Sequence, residues 1–121
     1  MAEQKRRSKS RRAFWWQVIS GVFLVVLATV HMVANHFVVP GGLRTYADVV
    51  AYIGTPAIFL LETVFLIMVT VHALLGVRAV LLDLSPSETT TRRLDRVLVL
   101  LGVVTMIYAT GLMAVVARGG L

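Results

Sequence analysis

Three long apolar runs dominate the chain, at roughly residues 14–39, 57–82 and 97–117. Each exceeds the ~20 residues that an α-helix needs to cross about 30 Å of hydrocarbon. Inside lipid the backbone must satisfy its own hydrogen bonds, which makes the helix the expected spanning form. The composition agrees. Of 121 residues, 58% are hydrophobic and only 15% carry a charge, whereas soluble domains hold about a quarter of charged residues. The expectation is an all-α integral membrane protein with three transmembrane helices.

The first run is too long for the apolar core of a signal peptide, and no small-residue cleavage site precedes a soluble domain. The Arg-rich N-terminus has the composition of an import sequence, but it leads straight into a span. The chain has no cysteine, so it forms no disulfide and holds no thiolate-bound iron–sulfur centre of its own.

The charges are bunched. Lys5, Arg6, Arg7, Lys9, Arg11 and Arg12 precede the first run, and Arg92, Arg93 and Arg96 lie between the second and third. The other two ends carry only Arg44 and Arg118. The positive-inside rule then puts the N-terminus and the second connection in the cytoplasm. Residues 1–13 read as a basic cytoplasmic tail that contacts anionic lipid, and residues 14–118 as the membrane domain. A tail fused to membrane spans is a poor nucleic-acid ligand. Trp15 and Trp16 suit the inner interface. Pro40, Gly41 and Gly42 should break the first helix. Thr45–Ile53 is expected as a short interfacial helix, with Pro56 in the first turn of the second span. On the inner side, Ser85 is expected to cap a helix that starts at Pro86, with Glu88 completing a capping box. A short amphipathic helix is expected before the third span.

Polar side chains are costly in lipid, so those inside a span face other helices and often carry function. Here they are His31, Asn35, His36 and Glu62, then His72, with Arg78 and Asp83 near the inner end. At 1.5 Å per residue, His31 sits ~25 Å along the first span and His72 ~16 Å from the cytoplasmic end, about 10 Å apart in depth. Two imidazoles on one six-coordinate iron must approach from opposite faces at nearly one level. These two are poorly placed to share one heme. If both are ligands, each needs its own heme and a second histidine from another chain, which makes the assembly hetero-oligomeric. Gly76 and Ala79 follow His72 on its face, and such small residues let a flat macrocycle or another helix approach. Arg78 is a candidate partner for a heme propionate. The alternative is that the histidines only bond between helices, in a small membrane scaffold or transport protein. His36 reads more readily as interfacial. Glu62 reads equally well as a structural carboxyl group.

The motif HMVANHF, then FLLE, then HALLGVRAVLLD, in that order and spacing, resembles the membrane-anchor cytochrome b subunits of succinate dehydrogenase (respiratory complex II) and quinol:fumarate reductase. The resemblance covers roughly residues 14–84. It implies a three-helix anchor subunit in a bacterial cytoplasmic membrane, with a second anchor subunit, an iron–sulfur subunit and an FAD-containing flavoprotein as partners. It implies heme b, one or two per complex, shared with the companion anchor, and a quinone as substrate, with menaquinone favoured. His72 then looks like a ligand of the heme nearer the soluble subunits, and His31 like a ligand of the farther one. Asn35 would orient His31. His36, Glu62 and Asp83 are the candidate quinone residues, with Glu62 relaying protons as intramembrane carboxyls do. Succinate chemistry itself would lie on the flavoprotein, and either direction of the reaction is compatible. One departure bears on the inner side. Where single-heme relatives have a quinone-bonding tyrosine after the Asp83 position, this chain has Leu84. The Arg-x-Ser-Gly element of companion anchors survives only as Ser20-Gly21.

Overall fold

A computed structural model describes residues 2–38, 41 and 45–120. Among them are four α-helices and a π-helical turn: α1 (Ala2–Val33), the π-turn (Ala34–Val38), α2 (Tyr46–Ile53), α3 (Pro56–Asp83) and α4 (Glu88–Ala117). Three segments are long and apolar enough to cross a membrane: Arg11–Phe37, Pro56–Asp83 and Glu88–Ala117. Pro40 and Gly42 of the expected helix break lie outside the described residues, as does Arg44. Gly41 sits in a turn at φ 79°.

Helix α3 is the middle member of an antiparallel row. It packs against α1 on one side and α4 on the other, and α2 rests on α4 and α3. Among the described residues the backbones of α1 and α4 make no close approach. The seam of α1 can be read from its spacing. The less exposed positions include Ala13, Gln17, Ser20, Leu24, Leu27, His31 and Ala34, with Gly21 and Asn35 beside them. Steps of four and three alternate without interruption, which is the heptad spacing of a left-handed helix pair. Two faces of α3 serve its two neighbours. Glu62, Phe65 and His72 meet α1, while Leu74 and Arg78 meet α4. Gly102 admits Leu74, since a Cβ there would lie 2.7 Å from Leu74 Cδ1.

Little apolar surface is covered by the chain itself. Val26, Val80, Val99, Leu100, Ile107 and many others remain exposed. In water such a surface would associate. In a bilayer it is the ordinary lipid-facing and partner-facing wall.

Two local expectations are corrected. The cap of α4 is Ser87, not Ser85: its hydroxyl accepts from the Thr90 backbone N–H at 3.2 Å. Ser85 instead turns the chain at φ 51°, a left-handed conformation that side chains disfavour. There is also no separate amphipathic helix before the third span. The polar segment from Glu88 and the apolar run form one continuous helix, because no proline or glycine interrupts residues 88–101. Ser87→Ala should therefore cost about 1 kcal/mol, and Ser85→Gly should be neutral or stabilise by up to about 1 kcal/mol. Unfolding of the two variants in detergent checks both. The expected helix at Thr45–Ile53 is present as α2, with Thr45 as its cap and Asp48 completing the capping box. Pro56 opens α3 as expected.

Candidate functional site

The polar residues of the spans gather into two tiers on the α1–α3 seam. The upper tier is centred on Glu62, which is 9% exposed. His31 Nδ1 donates to both carboxylate oxygens, at 2.7 and 2.9 Å. The Tyr52 hydroxyl donates to Oε1 at 2.8 Å. Asn35 Nδ2 donates to the His31 carbonyl at 2.7 Å, an acceptor that an α-helix would pair with the backbone N–H of residue 35. Asn35 lies in the π-turn that begins at Ala34, and such turns recur at functional sites. Phe65 stacks on the His31 ring at a centroid distance of 4.9 Å. Burial, and then the bond to Glu62, push the Tyr52 hydroxyl up to about 12, so at any physiological pH it is a donor.

The lower tier is centred on His72. Its Nδ1 lies 3.0 Å from Ser20 Oγ, and Ser20 is 1% exposed. Ser20 donates its own proton to the Gln17 carbonyl at 3.1 Å. The hydroxyl has one proton; when it goes to the carbonyl, Ser20 accepts from His72 Nδ1 and Nε2 keeps its lone pair. The Gln17 side-chain amide lies 3.5 Å from that Nε2, and Gln17 Oε1 is buried without a partner.

The two tiers are linked by register. Ser20 and His31 are 11 residues apart on α1, and Glu62 and His72 are 10 apart on α3, so the tiers lie roughly 15–17 Å apart along the bundle. This exceeds the separation expected from sequence. The difference arises from the register: Ser20, six residues past Phe14, meets His72, eleven residues before Asp83, so the start of the first apolar run and the end of α3 are not at one level.

The other candidates are placed apart. Arg78 is engaged by Asp95 of α4: Nε donates to Oδ1 at 2.6 Å and Nη2 to Oδ2 at 3.2 Å. His36 is exposed on the π-turn, and Asp83 is exposed at the end of α3. Glu62 and Asp83 are 21 residues apart on one helix, roughly 31 Å, so they cannot line a single quinone pocket. Sequence reasoning missed Tyr52, Gln17 and Asp95 as members of these networks. Ser20 was visible in the sequence only as part of the half-present Ser20-Gly21 element, with no partner assigned to it.

The class follows from these features: a membrane protein of three spans whose polar groups form two interhelical tiers, each built around one imidazole held through Nδ1. Residues 5–110 match the family model for the succinate dehydrogenase/fumarate reductase transmembrane subunit, and the chain belongs to that family. It is similar to the succinate dehydrogenase hydrophobic membrane anchor subunit of Thermoplasma acidophilum, with 26% identity over 118 residues, 98% of this chain and 96% of that protein. It is also similar to the protein of the same name from Archaeoglobus fulgidus, with 37% identity over 71 residues. That match spans 59% of this chain and 60% of the relative. No solved structure matches the chain.

Proposed function

We propose that the chain is a heme b-carrying membrane anchor of a succinate:quinone oxidoreductase, with His72 and His31 as axial ligands of separate hemes. The observation that supports this most is the way each imidazole is held. Nδ1 is tied to Glu62 in one tier and to Ser20 in the other, which leaves Nε2 as the atom with a lone pair. Metal-bound histidines are held in this manner, with the other ring N–H donated to a fixed acceptor. Among the described residues no three His, Asp or Glu side chains converge. A single imidazole per tier suits an iron that arrives with four porphyrin nitrogens. The second axial ligand of each iron would come from a companion anchor subunit, and the open sides of α1 and α3 leave room for it.

A heme at each tier would supply one-electron transfer between an iron–sulfur subunit, fed by an FAD-containing flavoprotein, and a membrane quinone. The chain's own residues do the rest. Glu62 holds the His31 proton and fixes the ring. Asn35 ties down the turn that follows it. Tyr52 donates to the same carboxylate and keeps water from it. A quinone near this tier would meet His36, exposed on the π-turn, and Glu62 could pass it protons; menaquinone is the favoured substrate. Arg78, held by Asp95 through Nε and Nη2, serves the α3–α4 contact, and its remaining N–H donors would be the ones to meet a propionate. The positive-inside charge pattern supports a His72 tier on the cytoplasmic side, toward the soluble subunits.

A second reading, in which both imidazoles only bond helices together, draws on the Gln17 amide that faces His72 Nε2. One experiment separates the two. Heme per purified complex is measured for the wild type, His31→Ala and His72→Ala. The expected result is that each variant loses a different heme, seen as distinct spectral components. Unchanged heme in both variants overturns the proposal, and loss of the same single heme in both overturns the two-tier assignment.

A further inference from the structure

We infer that Ser20 is the positioning residue that fixes the ring tautomer and rotation of His72 and so presents Nε2 to the iron, with Gly21 supplying the clearance for the ring. The inference rests on the heme reading above and deepens it.

The argument begins with burial. Ser20 is the one fully buried side chain among the described residues, at 1% exposure. A serine inside an apolar span needs partners, because an unpaired hydroxyl in that setting costs free energy. It has two: the Gln17 carbonyl at 3.1 Å, which can only accept, and His72 Nδ1 at 3.0 Å, from which Ser20 accepts when its own proton is on the carbonyl. With the serine proton committed to the carbonyl, the His72 ring has one orientation and one tautomer that satisfy the contact. The backbone of α1 thus sets the tautomer through a single hydroxyl.

The adjacent residue provides the space. A Cβ at position 21 would lie 3.2 Å from His72 Cε1, closer than most side-chain contacts. Glycine there lets the imidazole lie against α1. The pair Ser20-Gly21 therefore supplies one hydrogen bond and one clearance, both aimed at the same ring. Gly76 does the same for the residue opposite: a Cβ there would lie 3.3 Å from Gln17 Nε2. Gln17 is thereby seated over Nε2, with Oε1 buried and unpartnered. An iron at Nε2 must displace this amide, and a long, flexible side chain can swing away while Ser20, fixed at Cβ, stays bonded to Nδ1.

Donation from Nδ1 raises the basicity of the ligating nitrogen, and loss of such an outer partner typically weakens metal binding about 10- to 100-fold. In Ser20→Ala, retention of the lower-tier heme should fall by about that factor. The midpoint potential of that heme should rise, because a less basic ligand stabilises the oxidised iron less. The upper-tier heme should keep its potential. Ser20→Thr, which keeps the hydroxyl, should restore both quantities. If Ser20→Ala does not assemble, Ser20→Cys preserves the volume with a weaker acceptor and should move the potential in the same direction. The measurements are heme retention on dilution and redox titration of the intact complex, with His72→Ala as reference. If His72→Ala loses a heme while Ser20→Ala matches the wild type in retention and potential, the role of Ser20 is overturned and the heme reading stands. If Ser20→Ala shifts both hemes equally, or Ser20→Thr behaves like Ser20→Ala, Ser20 is a packing residue and the inference fails. If His72→Ala keeps its full heme content, the heme reading fails and this inference falls with it.

Discussion

Glu62→Ala should destabilise the protein by about 2–4 kcal/mol and empty the upper tier. Glu62 accepts from two donors, the Tyr52 hydroxyl and His31 Nδ1. Removing it leaves both donors without an acceptor, and an abandoned buried donor costs about 1–3 kcal/mol. The Tyr52 share is felt in full, since Tyr52 is buried. The His31 share is smaller, because its side chain is 38% exposed. The ring would also lose the contact that fixes Nδ1 as donor, so the heme assigned to His31 should be retained about 10- to 100-fold less well. Glu62→Gln should be milder, as its amide oxygen still accepts one of the two bonds. Tyr52→Phe should cost about 1 kcal/mol, the usual net worth of one hydrogen bond. Denaturation in detergent, with heme content followed in parallel, measures all three. A double-mutant cycle between positions 52 and 62 isolates their coupling. Wild-type stability in Glu62→Ala would show that the carboxylate is not the hub of this tier.

Asp95→Ala should cost about 2 kcal/mol, between the ~0–1 of an exposed ion pair and the ~3–5 of a fully buried one broken on one side. The pair is partly shielded, with side-chain exposures of 29% for Arg78 and 43% for Asp95. It is bidentate, a geometry that makes the most of the planar guanidinium. It joins α3 to α4 where Gly102 and Leu74 also interlock, so its loss should loosen the third span rather than the α1–α3 seam. Arg78→Lys should lose much of the same stability, since an ammonium cannot reproduce the fork. Heme content should stay at the wild-type level in both variants if Arg78 acts only through Asp95. Heme loss in Arg78→Ala but not in Asp95→Ala would instead assign the guanidinium to a propionate. Thermal denaturation and heme assay of the three variants distinguish these outcomes.

Elements that depend on local chemistry were legible from the residues alone. Three apolar runs of spanning length can only be helices in a bilayer. Pro56 at a helix start and a short helix over about residues 45–53 can be read from the local sequence, while the Thr45 cap with Asp48 is seen only in the structure. Histidines in an apolar run announced that polar contacts had to exist. The motif order was specific enough to suggest the family to which the chain belongs. The loop before α4 shows how narrow such reasoning is. Ser85 and Ser87 both offer a hydroxyl beside Pro86, and the backbone twist at Ser85, not composition, selects Ser87.

What only the tertiary structure decided is which polar group meets which. Ser20 and His72 are separated by 52 residues, and His31 and Glu62 by 31. Their meeting depends on the vertical register of two antiparallel helices. Hydropathy leaves that register open, because sliding one apolar helix along another changes the apolar contacts little. Matching the donors and acceptors of both tiers at once picks a single offset. Tyr52 lies only 10 residues from Glu62, yet the turn at Gly54 and Thr55 had to fold α2 over the end of α3 before the hydroxyl could reach the carboxylate. The sequence by itself determined a three-span membrane helical protein with buried polar groups. The antiparallel register turned those groups into two separate imidazole sites, because a hydrogen bond inside lipid has a fixed length and few alternatives.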